Sequence, residues 1–375
     1  MLLNPTIIDD PASDTLHMLF RATGPWPQSQ TPGRPLPYPI FLGYATSGDG
    51  GKSWQADFSR PCLGPLLQNE LHRIVITGAD GRQHINHANG CIEDPRLARL
   101  DGELYLTTAC RMFPPGPYWE HDEPTQCAPA WATSGKHSLG PAATKNLTVT
   151  VLWKVNLPQL AAHNYAEAFT YISPISDPLR GDNRDVFLIP RKMQIEGRKQ
   201  YVCLHRPYHP ELYDHRFAGL PPSIFVACAD RLEDLGGPLA AHRLLAKPVL
   251  PWEVDRVGAS WVPIPLGGGE WLLPYHAKQD AVVGYTQSFM ILKEGADGWP
   301  EVIHRCPDRL MFARKPWELA GRFKTPCVFT CGGLVRGDEL IMSYGAADTV
   351  AGMAWVNLPR LVAHIRCFDP VGGLL

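Results

Sequence analysis

The sequence repeats one supersecondary pattern five times. Each copy has a short apolar strand, a turn rich in Gly, Asp or charged residues, and a second strand that ends in a polar or aromatic cluster. The copies are Asn4 to Gly24, Glu93 to Cys110, Arg184 to Pro207, Gly258 to Ala277 and Thr325 to Asp348. Their spacing suits a blade of three or four antiparallel strands plus a loop, repeated radially. We therefore predict an all-β fold, a five-bladed β-propeller, in which residues 1–375 form a single domain.

A third strand of similar character is expected after each hairpin. These strands are predicted to start at Ile40, Pro129, Ser223, Tyr285 and Leu361. Helix is expected only over residues 157–171 and in a single turn at residues 357–360. An ordinary β-sandwich with coincidental hairpins is the alternative fold.

Turn-forming residues support this interpretation. The chain holds 37 Pro and 34 Gly, a density that excludes long uninterrupted helices. The stretch Ser47 to Trp54 fits the S-x-D-x-G-x-[ST]-W hairpin known from propeller blades. In that hairpin, Asp and Ser side chains cap the turn through local hydrogen bonds, so its role is structural.

The charge balance limits the classes of partner. The 35 basic and 37 acidic residues give a net charge of −2 without a long run of either sign, so neither nucleic acid nor a membrane is expected as a partner. The N-terminus lacks the pattern of a secretory signal. The ten cysteines form no C-x-x-C pair and are interpreted as buried thiols. We expect a cytoplasmic protein, and homo-oligomer formation stays open.

Polar clusters stand where the inner strands of the repeats begin or end. In a propeller these ends converge on the central axis, and the strongly apolar flanking strands argue against simple surface positions. A shared carbohydrate or anion site explains the clusters best. They are Arg21, Glu93-Asp94-Pro95-Arg96, Arg184-Asp185, His205-Arg206-Pro207, Tyr275-His276 and Tyr344 to Asp348.

Seven segments, in order over nearly the whole chain, resemble glycoside hydrolase family 130, the β-mannoside phosphorylases and related β-mannosidases. The family is known as a five-bladed propeller. The matching segments are GCIEDPRLARLDG from Gly90, RDVFLIPRK from Arg184, LHRP from Leu204, VGASWVPIPLGGGEWLLPYH from Val257, Pro316-Trp317-Glu318, TPCVFTCGG from Thr325 and SYGAAD from Ser343.

The resemblance implies that Asp94 is the general acid of an inverting reaction. Like-charge repulsion from Glu93 and partial desolvation would raise its pKa toward the range where it donates a proton. Members of the family are thought to relay that proton through a sugar hydroxyl to the glycosidic oxygen. The alternative is that Asp94 pairs with Arg96 or caps the turn before Pro95.

The resemblance also implies a phosphorylase that releases α-mannose 1-phosphate from a small β-mannoside. Inorganic phosphate is then the co-substrate, and no cofactor is expected. Phosphate must be held by cationic or backbone donors, and Arg180, Arg184 and His276 fall where the family's phosphate cluster lies. The alternatives are surface pairing for Arg180 and a core position for His276.

Further residues are assigned to the sugar. Asn4, Arg21, Arg256 and Asp348 would bind it by analogy with family positions, with Glu93 as a further member of the pocket. Glu318 is either a member of the pocket or a structural partner. An inverting β-mannosidase of the same family needs a second carboxylate, for which Glu211 or Glu253 is the alternative. A sugar-binding propeller without catalysis is a third hypothesis.

Two other features bear on function. His84 and His87, with the acidic residues of the segment 120–123, are weak evidence for a metal, and no metal site is predicted. A long Pro-rich insertion over residues 111–150 is expected to shape the acceptor site. Linkage and acceptor sugar are not readable from the sequence.

Overall fold

In a computed structural model, the strands form five antiparallel sheets that follow one another along the chain. The structure describes residues 2–23, 40–65, 75–77, 83–85, 90–111, 135, 147–237, 240–321 and 325–375. The five sheets form the five blades of a β-propeller, so the predicted fold is confirmed. Most of the insertion at 111–150, and the proposed third strand at Pro129, lie outside the described residues.

Each blade begins with its innermost strand. Blade 1 holds β1 (Leu2–Asp9), β2 (Leu16–Thr23), β3 (Ile40–Ser47) and β4 (Gln55–Asp57). A separate pair, β5 (Val75–Thr77) and β6 (Gln83–Ile85), follows it. Blade 2 holds β7 (Ile92–Leu100), β8 (Glu103–Arg111), β9 (Thr148–Val155) and β10 (Phe169–Pro174).

The remaining blades follow the same order. Blade 3 holds β11 (Asn183–Leu188), β12 (Met193–Ile195), β13 (Arg198–Pro207), β14 (Ile224–Ala229) and β15 (Ala241–Ala246). Blade 4 holds β16 (Arg256–Ala259), β17 (Ile264–Gly267), β18 (Glu270–Lys278), β19 (Tyr285–Glu294) and β20 (Pro300–Arg305). Blade 5 holds β21 (Val328–Arg336), β22 (Glu339–Ala346) and β23 (Val350–Asn357).

Four short α-helices lie between or after these strands: α1 (Leu157–Ala161), α2 (Tyr165–Ala168), α3 (Pro316–Leu319) and α4 (Leu358–Ile365). Single 3-10 turns lie at Pro178–Arg180, Pro210–Leu212, His215–Phe217, Leu232–Asp234 and Pro251–Glu253. Among the described residues, none of these helices is long and apolar enough to cross a membrane.

In blade 2, β8 pairs with β9, and the strand predicted at Pro129 lies outside the described residues. One predicted third strand is corrected. In blade 5 the third strand is β23, and the segment from Leu361 belongs to α4. Asn357 caps that helix by accepting a hydrogen bond from the Arg360 amide, and Leu361 and Ile365 bury one helical face. The helix is therefore longer than the single turn predicted there.

Apolar side chains fill the space between neighbouring sheets, as alternation along the strands predicts. One cluster joins blades 1 and 2 and includes Leu42, Leu106 and Val151, and another joins blades 3 and 4. Eight of the nine cysteines in the described part of the chain are buried. The Ser47 to Trp54 hairpin is capped as predicted, since Asp49 accepts hydrogen bonds from the amides of Lys52 and Ser53.

The ring closes where the last blade meets the first. Strand β1 packs against β21 and β22, and Ser343 Oγ donates a hydrogen bond to the Pro5 carbonyl at 2.7 Å. Within the described residues each blade is one continuous stretch of chain. No strand of the described part is therefore shared between the first and last blades, and close packing holds this joint together. A Cβ added to Gly345 would lie 2.1 Å from Asn4 Oδ1.

Candidate active site

Three inner strands share one irregularity at the same end of the propeller. Asn4 in β1, Asp94 in β7 and Asp185 in β11 have left-handed backbones, with φ of 46°, 52° and 54°. At each of them the register with the next strand shifts, as in a β-bulge. Asn and Asp tolerate this conformation better than most residues. All three polar side chains line one cavity at this end of the inner strands.

The cavity has a volume of about 300 Å³, at the lower end of the range for small-molecule sites. Four carboxyl groups, four guanidinium groups, one amide, two tyrosines and two apolar side chains line it. Its lining residues are Asn4, Arg21, Glu93, Asp94, Arg111, Arg184, Asp185, Arg206, Tyr208, Tyr285, Cys327, Phe329 and Asp348.

Asp94 is buried, with 8% of its surface exposed. Its Oδ1 accepts a hydrogen bond from Asn4 Nδ2 at 2.7 Å and lies 3.9 Å from Arg21 Nη1. Burial, together with the negative charge of Glu93, raises the pKa of Asp94 above its ordinary value despite these two contacts. The carboxyl group is therefore suited to hold and donate a proton.

Glu93, its neighbour in the chain, has the opposite electrostatic environment. Burial by itself would raise the pKa of Glu93, but Arg21, Arg184 and Arg111 hold it below the ordinary value. Their nitrogens lie 3.3, 4.0 and 3.9 Å from its carboxylate oxygens. The pKa values of two adjacent carboxyl groups are thus shifted in opposite directions, which is an arrangement that acid catalysis uses.

Asp185 joins three blades under the cavity. Its carboxylate accepts hydrogen bonds from Arg96 Nη2 at 3.0 Å and from Arg206 Nε at 2.5 Å, and His276 Nε2 lies 3.2 Å away. Burial alone would raise the pKa of Asp185, yet Arg206, His276 and Arg96 hold it well below its usual range. Asp185 is therefore a fixed anion that orients Arg206 at the cavity wall.

Tyr208 lies among cationic side chains at the same wall. Arg206 and Arg256 stack on its ring at 5.0 and 5.3 Å, and Arg256 Nη1 donates a hydrogen bond to the phenol oxygen at 2.5 Å. Burial raises the pKa of the phenol, but Arg206, Arg184 and Arg256 outweigh it and lower that pKa. The positive potential that stabilises a phenolate also attracts other anions.

Six of the residues predicted for the site line this cavity, and they come from blades 1, 2, 3 and 5. They are Asn4, Arg21, Glu93, Asp94, Arg184 and Asp348. Asp348 follows β22 with a left-handed backbone, φ 53°, and its Oδ1 lies 3.6 Å from Arg21 Nη1.

The other predicted phosphate and sugar ligands lie outside the lining. Arg180 stacks on the Tyr213 ring at 4.9 Å and pairs with Asp177. His276 is fully buried beneath Asp185, and burial lowers its pKa. Arg256 reaches the wall only through Tyr208.

The three remaining glutamates also lie outside. Glu318 caps α3 by accepting hydrogen bonds from two backbone amides and the Tyr344 hydroxyl. Glu211 is exposed beside His209. Glu253 has no exposed surface and accepts hydrogen bonds from Arg305, Tyr275 and the amides of residues 249 and 250. Neither alternative base, Glu211 nor Glu253, lines the cavity that the structure describes.

Seven lining residues had not been assigned as catalytic, phosphate or sugar ligands. They are Arg111, Asp185, Arg206, Tyr208, Tyr285, Cys327 and Phe329. For two of them a signal was present in the repeats: Asp185 occupies the position in β11 that Asp94 occupies in β7, and Arg206 pairs across the hairpin as Arg21 does in blade 1. Both residues belong to the polar clusters from which a shared carbohydrate or anion site was predicted, but neither was assigned as a ligand.

A family model described as beta-1,4-mannooligosaccharide phosphorylase matches residues 146–366. The chain belongs to glycoside hydrolase family 130. The prediction of this enzyme family is therefore confirmed. A 1,2-beta-oligomannan phosphorylase of Thermoanaerobacter sp. (strain X514) is 27% identical over 343 residues, which cover 91% of this chain and 86% of that protein.

Solved structures of the family share its fold. The beta-1,2-mannobiose phosphorylase of Listeria innocua superposes with a TM-score of 0.63 at 17% identity, covering 97% of this chain and 92% of that one. A second structure belongs to work on GH130 glycoside hydrolases that target beta-1,2 mannosidic linkages in Candida mannan. Its TM-score is 0.59 at 16% identity, with 95% and 84% of the two chains covered.

Proposed function

We propose that this family member is an inverting phosphorylase that cleaves a β-mannoside with inorganic phosphate, releasing α-mannose 1-phosphate and the acceptor sugar. One observation carries the proposal. Asp94, whose pKa is raised by burial and by Glu93, lies next to Glu93, whose pKa is lowered by arginines, in a cavity whose wall also presents Arg111, Arg184 and Arg206. The first group supplies a proton, and the guanidinium groups supply a site for a phosphate nucleophile.

In this reaction a phosphate oxygen attacks the anomeric carbon on the face opposite the leaving group. The bond from that carbon to the glycosidic oxygen breaks, and the oxygen takes the proton that originates on Asp94. The family resemblance favours transfer through a sugar hydroxyl. Asn4 and Arg21 then stabilise the carboxylate that remains, because both already contact Asp94 Oδ1.

For the phosphate site we propose Arg184 and Arg206 in place of the cluster of Arg180, Arg184 and His276. Arg206 is oriented by Asp185, and Arg184 Nη2 donates to Thr148 Oγ1 at 3.1 Å. Arg184 Nε and Arg206 Nη1 are buried and make no hydrogen bond within the described part of the chain. A bound oxyanion would satisfy donors that are otherwise costly to bury.

The hydrolytic alternative has less support. An inverting hydrolase needs a carboxylate that activates water about 6.5–9.5 Å from the acid. Glu253 is fully buried and bound to Arg305, and Glu211 is at the surface. Asp185, which does line the cavity, is already paired with the guanidinium groups of Arg96 and Arg206 and lies beside His276.

The test is product analysis with β-mannosyl disaccharides, with and without inorganic phosphate. We expect mannose 1-phosphate, and turnover that depends on phosphate. Asp94→Asn should abolish turnover, Arg206→Gln should raise the KM for phosphate at least tenfold, and the matched change Arg180→Gln should leave that KM within a factor of about two. Phosphate-independent release of free mannose would overturn the proposal.

A further inference from the structure

Three side chains with metal-binding atoms converge on the outer side of blade 4, away from the cavity. Cys306 and Asp308 follow β20, and His364 lies in the last turn of α4. Their sulfur, oxygen and nitrogen ligand atoms all lie within 4.8 Å of one another, and His364 Nε2 is 3.1 Å from Asp308 Oδ2. No second group of three such donors occurs among the residues that the structure describes.

The spacing of these atoms suits a tetrahedral ion. Zn–S bonds of about 2.3 Å and Zn–N or Zn–O bonds of about 2.0–2.1 Å place neighbouring ligand atoms roughly 3.3–3.6 Å apart. The nitrogen and oxygen are already near that separation, and the sulfur lies within 4.8 Å of both, so it has at most about 1.5 Å to close.

The donor set selects the kind of ion. A thiolate and an imidazole favour Zn²⁺ over Mg²⁺ or Ca²⁺, which prefer oxygen ligands. One thiolate and one carboxylate together balance the charge of a divalent cation, so the complex is neutral at a half-buried position. Cys306 is buried while Asp308 and His364 are exposed, and the ion can therefore reach the site from solvent and keep a water as fourth ligand.

The two segments that present these donors are already held together. The Arg305 amide donates to the Asp369 carbonyl at 3.0 Å, and His304 Nδ1 bonds the Phe368 carbonyl at 2.7 Å. Ser288 Oγ donates to the Asp308 carbonyl at 2.8 Å, which fixes the turn after β20. Because this frame does not depend on an ion, little ordering is needed for binding.

We propose that Cys306, Asp308 and His364 form a structural Zn²⁺ site that ties α4 to the outer strand of blade 4. Binding forms the Zn–S, Zn–N and Zn–O bonds and releases the thiol proton of Cys306 to solvent. Since α4 continues directly from β23, the ion links blades 4 and 5 from outside. The proposal is independent of the catalytic cavity and of the reaction assigned to it.

The test uses the full chain, stripped with a chelator and titrated with Zn²⁺, and with Co²⁺ as a spectroscopic probe. We expect one Zn²⁺ per chain by elemental analysis, a thiolate-to-Co²⁺ charge-transfer band, and a melting temperature that rises on adding Zn²⁺. Cys306→Ser should remove the band, and the exposed variants Asp308→Asn and His364→Gln should each weaken Zn²⁺ binding at least tenfold.

Cys367→Ser is the matched control. Its thiol is exposed near the same helix and donates back to the Ala363 carbonyl, outside the donor group. This variant should bind Zn²⁺ and Co²⁺ as the parent does. No metal uptake by the parent chain, or unchanged affinity in the folded Asp308→Asn and His364→Gln variants, would overturn the site.

Discussion

The hydrogen bond from Asn4 to Asp94 should set the upper pH limit of activity. This hydrogen bond is buried and 2.7 Å long, and because it favours the charged form of the carboxyl group, it lowers the pKa of Asp94 against the effect of burial. A hydrogen bond to a charged group contributes about 1.5–3 kcal/mol. At 1.36 kcal/mol per pKa unit, its removal should raise the pKa of Asp94 by about 1 to 2 units.

Asn4→Gly is the variant that isolates this effect. Asn4 has a left-handed backbone, so glycine removes the amide without adding strain, whereas alanine would add it. Asp94 must be protonated to act as an acid, so a raised pKa keeps it active to higher pH. The alkaline limb of kcat/KM for phosphorolysis should therefore move up by about 1 unit, the lower figure because water can partly replace the amide.

Asp101→Gly is the matched control for this measurement. Asp101 has the same left-handed backbone, φ 52°, but lies exposed in the turn between β7 and β8. Its pH profile should coincide with that of the parent enzyme. An alkaline limb that stays in place or moves to lower pH in active Asn4→Gly would refute the role assigned to Asp94 and its amide partner.

Three other variants test the remaining assignments. Glu93→Gln removes the negative charge that helps to raise the pKa of Asp94, so the alkaline limb of kcat/KM should move to lower pH. Glu253→Gln removes the charge from a fully buried ion pair, and thermal or urea unfolding should show a loss of about 3–5 kcal/mol while turnover at low temperature persists. Gly345→Ala places a methyl group against Asn4 at the blade 5 to blade 1 joint, which should cost about 1–3 kcal/mol in unfolding free energy and lower kcat/KM at least tenfold.

Each of these variants has an outcome that contradicts its premise. A Glu93→Gln profile displaced to higher pH would mean that Glu93 does not raise the pKa of Asp94. Loss of turnover with unchanged stability in Glu253→Gln would make Glu253 a catalytic base. Gly48→Ala, in an open turn where an added Cβ meets nothing within 4 Å, controls for the glycine substitution, and equal effects at both positions would remove the steric argument.

Residues within short motifs were predicted best. Glu93 and Asp94 stand together in the chain at the start of an inner strand, and both line the cavity. Arg180 and His276 were assigned by their position in the family pattern, but the 3-10 turn at Pro178–Arg180 carries Arg180 onto Tyr213, and the pairing of β16 with β18 buries His276. The position of such a side chain depends on contacts with neighbouring blades, and a local sequence pattern carries no information about those contacts.

Helix α4 shows that local sequence patterns also leave part of the fold undecided. The apolar run from Leu361 suits a strand or a helix by composition, and the Asn357 cap with two buried residues four apart decides for the helix. Glu318 is a further case: its cap on α3 explains a glutamate in that motif without any contact to the cavity.

The number of blades, the family and the adjacent carboxyl pair could be predicted from the sequence, because strand alternation, turn residues and contiguous motifs are properties of short stretches. The cations that contact those carboxylates could be identified only from the tertiary structure. Arg206 enters the site because a bulge turns Asp185 toward it, and Cys306 meets His364 because backbone hydrogen bonds bring the end of the chain back to blade 4. Contacts of this kind join residues far apart in sequence, and their geometry arises only when the sheets pack around a common axis.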